Sequence, residues 1–335
     1  MNLNSIPLTS SEIGNLWMTY QEKTMLLRFL EYFLEHAEDQ SVHNILQDAY
    51  SASDQVVKTI HSIFQNEGAA SPLGFTANDV NKRVPKLFDF YYEPMFLNVI
   101  CKIEASLFSM YFSMSYRQDI RQLFKQLTAE AQDIFDRCSN YLLDKGVLVR
   151  PPFMSVPKEI SFITDKHYLS GFNLFKEKRS LNAIEISLIH NSIETNLIGM
   201  QLMIGFAQVA HNQEVKEYFI KGMKLSKDVE TSLGEFMRQD FIEPPATPAG
   251  KATNSTIAPF SDKLMMYITN LLGSFGLGSS SLGGAFNLRS DLPLELAKLA
   301  QKILPFIKEG GEIMITNGWM EEPPQVEDRR QLTRS

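Results

Sequence analysis

His190 and Glu194 are the side chains best spaced for chemistry in this sequence. Four residues apart on a helical pattern, an imidazole and a carboxylate fall on one face, and both are metal-ligand types. A plain hydrogen-bonded or exposed pair uses the same spacing. The other histidines, His36, His43, His61, His167 and His211, share no ligand spacing with one another. Metal ligation by His190 and Glu194 is therefore the one open candidate. No catalytic or cofactor-binding residue is assigned, and no cofactor is expected.

Other motifs fail on context. The run Gly273-Ser-Phe-Gly-Leu-Gly-Ser-Ser-Ser-Leu-Gly-Gly284 has the glycines of a phosphate loop. It continues a helical pattern, whereas a nucleotide fingerprint needs a strand before it and a helix after it. Gly250-Lys251 is followed by alanine, and no glycine stands five residues before it, so no P-loop forms. Gly-x-Ser-x-Gly and His-Glu-x-x-His are absent. The small residues of the run are expected to admit a close backbone neighbour.

The elements that would position such residues are helices, arranged as a repeat. Leu8-Thr-Ser-Ser-Glu opens a pattern in which Leu16, Tyr20, Leu27, Leu30 and Leu34 recur at three- and four-residue spacing, the mark of one buried helical face. Helices are predicted over about 8–37, 40–65, 86–114 and 117–145, with Pro94 bending the third or setting off a short first turn. A long Gly/Pro/Ser/Asn loop, 68–81, separates the second from the third. Helix, short turn, helix, long crossover, helix, short turn, helix is the order of a ferritin-like four-helix bundle. The order then recurs over 182–210, 212–240, 261–284 and 290–317. Lys145-Gly-Val-Leu-Val-Arg-Pro-Pro152 is echoed by Asn317-Gly-Trp-Met-Glu-Glu-Pro-Pro324, and a glycine followed by prolines is helix-ending punctuation. The expected fold is all-α, two tandem ferritin-like four-helix bundles: 1–152, an aromatic-rich ordered linker 153–180 laid across the first bundle, 181–324, and a polar tail 325–335.

That topology raises the question of a di-iron centre, which needs a Glu-x-x-His pair from each of two helices. No glutamate in the chain has histidine three residues on, so the standard centre is excluded. Two cysteines, Cys101 and Cys138, cannot build a disulfide framework or a four-thiolate site. Both lie in apolar helical patterns and are expected to be reduced core thiols. The net charge of −7 and the lack of any dense basic run argue against a nucleic-acid partner. No basic and apolar leader is present, and no uninterrupted apolar run of some 18 residues. The expectation is a cytoplasmic protein with no membrane span and with protein as its partner. Sequence leaves the oligomeric state open.

Pro259-Phe-Ser-Asp-Lys-Leu-Met-Met266, Arg289-x-Asp291 and Ile313-Met-Ile-Thr-Asn-Gly-Trp-Met-Glu-Glu-Pro-Pro-Gln325 closely resemble the tandem-bundle proteins of spore-forming bacilli grouped as domain-of-unknown-function family 3231. Leu8-Thr-x-x-Glu-Ile, Asn78-Asp-Val-Asn81 and Lys145-Gly-x-x-x-Arg-Pro-Pro152 agree in the first half. The resemblance spans almost the whole chain. It implies two ferritin-like bundles and an association with spore coat proteins, since one relative carries that label. It brings no activity and no functional residue.

Two readings of function follow. The first is a non-enzymatic structural or interaction protein tied to sporulation or deposited in the spore coat. The second is a bundle that binds a small apolar ligand or a metal in its helical core, with or without catalysis. The two halves are further expected to dock through the linker, with the Gly-rich helix at the contact.

Overall fold

Thr9 and Asn182 start the two halves in the same way. Each caps a helix with its side chain, and Glu12 or Glu185 reaches back to the cap backbone to complete a capping box. In the computed structural model, which describes residues 6–171, 178–247 and 249–333, the first half holds α1 (Ser10–His36), α2 (Gln40–Asn66), α3 (Tyr92–Ser113) and α4 (Gln118–Asp144). The second holds α5 (Ala183–Val209), α6 (Gln213–Gln239), α7 (Asp262–Phe286) and α8 (Asp291–Thr316), followed by a short α9 (Arg329–Leu332). The protein is all-α. Among the described residues the β-structure is limited to two isolated bridges. α1 and α5 begin at 10 and 183 and end at 36 and 209, an offset of 173. α4 and α8 end at 144 and 316, an offset of 172.

The glycine punctuation works as its chemistry requires. Gly146 and Gly318 have φ of +70° and +68°, where a β-carbon would be strained. Val147 N–H then donates to Leu142 C=O and Trp319 N–H to Met314 C=O, closing both helices. The same glutamates that cap α1 and α5 also clamp the start of the fourth helix of each half. Glu12 accepts from the Tyr116 and Arg117 amides at 2.8 and 2.7 Å, and Glu185 from the Arg289 amide at 3.0 Å. Burial disfavours the Glu12 carboxylate, yet the hydrogen bonds from Arg117, Thr9 and Tyr116 hold its pKa below the usual value.

Three sequence expectations need correction. The third helix does not begin near Lys86. It begins at Tyr92, with Pro94 inside its first turn, where a missing N–H costs nothing. Residues 80–91 are instead committed to the other half. The two crossovers run antiparallel, bridging Val80 to Phe260 and Phe88 to Ala252. Asn81 N–H donates to Pro259 C=O, Asp89 N–H to Lys251 C=O and Thr253 N–H to Leu87 C=O. Phe88 and Phe260 are themselves 172 residues apart, so the junction is a pseudo-twofold exchange. One apolar cluster runs through it, containing Phe29, Phe33 and Phe96 from the first half and Phe206, Phe260 and Met265 from the second.

Among the described residues docking therefore does not pass through the linker, and residues 153–163 are not laid across the first bundle. Phe153, Val156, Ile160 and Phe162 are 90, 84, 89 and 87% exposed. Among the described residues the far end is pinned, and to the second half. Ser290 N–H donates to Leu169 C=O, Gly171 N–H to Ser290 Oγ, and the Arg179 guanidinium lies 4.0 Å from the Tyr168 ring centre. Phe172, Phe175 and Lys176 lie outside the described residues.

The Gly-rich segment is not a close contact either. It stays helical to Phe286, and a β-carbon on Gly276, Gly278 or Gly284 would meet no atom within 4 Å. Gly283 faces only Leu296 of its own half, at 3.5 Å. Interior glycine costs a helix about 0.5–1 kcal/mol relative to alanine; at Gly276, Gly278 and Gly284 no neighbour offsets it, while a β-carbon on Gly273 would stand 3.2 Å from Ile307 of its own half.

Candidate functional site

His190 and Glu194 both sit on α5, and the structure gives each a different setting. The Glu194 carboxylate receives Lys102 Nζ of α3 at 2.7 Å, and the same lysine reaches Asn191 Oδ1 at 3.2 Å. The spacing that suggested a metal pair thus serves an ion pair between the halves. His190 is buried, and its Nε2 has no hydrogen-bond partner. Burial lowers its pKa, with Glu194 working in the opposite direction. Among the described residues no three His, Cys, Asp or Glu side chains converge as a metal site. Cys101 and Cys138 are free thiols in the core, and burial pushes both pKa values up.

Charge is also buried in the first half at a place no motif announces. Glu22 and Lys23 on α1 and Glu104 on α3 lie in the first-half interior, with Lys23 Nζ bonded to a Glu104 carboxylate oxygen. Burial and the nearby Glu104 raise the Glu22 pKa strongly. Burial disfavours the Lys23 cation, but Glu104 and Glu22 more than compensate and its pKa rises. Periodicity carried the signal. Lys23 continues the Leu16, Tyr20, Leu27 series, and Glu104 continues Leu97, Cys101 and Phe108, so both charges fall on the buried face of their helices.

The repeat places Thr195, Asn196 and Gly276 at the positions of Glu22, Lys23 and Glu104. All three line a cavity of about 90 Å³ between α5, α6, α7 and α8, closed on one side by α3 of the first half.

A second, polar cleft of about 310 Å³ lies at the start of α3. Glu93 lines it and is largely buried, and burial, with help from Asp89 and Glu38, raises its pKa to about 7 against the pull of Lys86 at 4.0 Å. Lys86 also pairs with Glu38 at 3.1 Å, and Tyr141 O–H and Lys145 Nζ both donate to Asp39, at 3.1 and 3.3 Å. Tyr91 beside it has φ of +73°, an uncommon region for a bulky residue. A carboxyl that titrates near neutrality can take and return a proton there. Its near-neutral pKa is a consequence of tertiary burial, with no motif to announce it.

α3 is the one described helix long and apolar enough to cross a membrane. Most of it is buried against protein, and it carries Glu93, Lys102 and Glu104, the pattern of a core helix.

The family model described as "Protein of unknown function (DUF3231)" matches residues 1–160 and again 169–332. Among solved structures, a "putative spore coat protein" from Bacillus halodurans C-125 is similar at 17% identity and a TM-score of 0.43, covering 45% of this chain and 98% of its own. At that distance it carries no argument about fold or function. Curated proteins give no match.

Proposed function

Because the chain belongs to the DUF3231 family, with both halves matched, we propose that it is a non-enzymatic interaction protein that engages a protein partner through its interdomain segment. One observation carries this reading. Phe153, Val156, Ile160 and Phe162 are almost fully exposed on the extended segment between α4 and α5. An exposed apolar run of this length is costly in water and marks an interaction surface. Proline residues 151, 152 and 157 limit the unbound conformations of the segment, which lowers the entropy lost on binding.

In this reading the two ferritin-like halves form a rigid base with the segment displayed between them. The family resemblance supplies the setting, a spore-forming bacillus in which the partner is a coat protein. The test is a Phe153→Ser/Phe162→Ser chain expressed in sporulating cells. Both rings are almost fully exposed, with the Arg150 guanidinium 5.4 Å from the Phe153 ring centre, so helicity and Tm should be unchanged. Site-specific crosslinks from residue 156 to coat-layer proteins should be lost. Crosslinking that survives the double substitution would overturn the reading.

A further inference from the structure

We infer that the second half carries a binding site for an uncharged aliphatic molecule, at the place where the first half is plugged by side chains. It stands apart from the interdomain segment and does not depend on it.

The two halves offer an internal comparison. In the first, Leu26, Ala49, Cys101 and Glu104 line a void of only about 10 Å³. Their equivalents by the repeat are Gly199, Gly222, Gly273 and Gly276, and these line the cavity of about 90 Å³. Four side chains on three different helices have been replaced by hydrogen around one point. Gly222 and Gly273 have a packing reason, since β-carbons there would come within 2.8 Å of Phe306 and 3.2 Å of Ile307. Gly199 and Gly276 have none: a β-carbon at either meets nothing within 4 Å. Close helix packing therefore does not explain their lack of a side chain, whereas open space for a ligand does.

The lining defines the chemistry. The floor is Phe96, Leu202, Met203, Val229, Ile303 and Phe306, and no charged side chain lines the cavity. Lys23 and Glu104, the charged pair of the first half, are here Asn196 and Gly276. An ionised ligand would therefore enter without a counter-charge, at a large desolvation cost. The half-buried Thr195 and Asn196 of α5, Ser226 of α6 and Ser280 of α7 supply uncharged polar groups to the lining. An apolar cavity of about 150 Å³ accepts benzene, so one of about 90 Å³ accepts an alkyl chain of about three to four carbons whose neutral polar end reaches the partly exposed polar lining. The wall formed by Tyr92, Phe96, Val99 and Ile100 comes from α3, so the site is complete only when the halves are docked.

The experiment uses the full chain with n-butanol as probe, followed by isothermal titration and by the methyl signals of ¹³C-methionine. Saturable binding is expected, with the Met203 methyl shifting and the Met25 methyl of the first-half core unmoved. Gly276→Leu and Gly199→Leu, the latter restoring the first-half residue, should each fold, as circular dichroism reports, and reduce affinity at least tenfold. Absence of saturable binding, equal shifts at Met203 and Met25, or undiminished binding by both variants would overturn the inference. Should a variant fail to fold, the Met203 and Met25 shifts of the unaltered chain decide it alone.

Discussion

Phe88 of the first half lies against Gly205 of the second so closely that a β-carbon at 205 would stand 2.7 Å from its ring. The repeat puts Phe260 and Tyr32 at the corresponding places, and those rings meet with centroids 5.2 Å apart. Each crossover thus inserts a phenylalanine beside the first helix of the other half, once against glycine and once against tyrosine. Gly205→Ala should destabilise the chain by about 1–3 kcal/mol through overpacking. Gly284→Ala, where there is open space, should stabilise α7 by about 0.5–1 kcal/mol. Urea denaturation of the two variants side by side checks the opposite signs.

Phe260→Ala should cost about 3–5 kcal/mol, because its buried ring packs 4.2 Å from the Phe29 centroid and touches both halves. Since one core spans the junction, calorimetry should show a single transition, and a fragment holding residues 178–333 alone should fail to melt cooperatively.

Removing one member of the buried Lys23–Glu104 pair should be worse than removing both. Glu104→Leu leaves an ammonium in the core and should cost about 3–5 kcal/mol, while Lys23→Met with Glu104→Leu should recover most of that loss. A double-mutant cycle in denaturant measures the coupling. Equal losses from the single and the double variant would contradict it.

Glu93 makes stability depend on pH in a stated direction. Folding raises its pKa from about 4.5 to about 7, so the native chain holds this proton more tightly than the unfolded one. The contribution favours folding most below pH 4.5, declines as pH rises to about 7 and is flat above. The change is on the order of 2–3 kcal/mol. Glu93→Gln should flatten the Tm profile between pH 5 and 7 and raise Tm at pH 8. An unchanged slope in the variant would assign the pH dependence elsewhere.

The sequence by itself determined what is local. Caps at Thr9 and Asn182, turns at Gly146 and Gly318, and apolar spacing along α1 and α5 depend on neighbours within a few residues, so the helices and their duplication were readable as pattern. Even the first-half charges lay on the buried faces of their helices for anyone following the register. Tertiary structure alone decided what those pieces do together. Residues 80–91 look like a continuation of α3, but pairing with 250–261 satisfies their backbone between residues such as Asn81 and Pro259 or Asp89 and Lys251, far apart in the chain, a long-range gain that no local window contains. The aromatic content of the linker implied burial, yet whether an apolar side chain is covered depends on what surface lies opposite, and none lies opposite Phe153, Val156, Ile160 or Phe162. The Gly-rich stretch was legible as divergence between the halves. That its glycines open a cavity rather than admit a neighbour depends on three helices converging on one point, a relation of space and not of spacing.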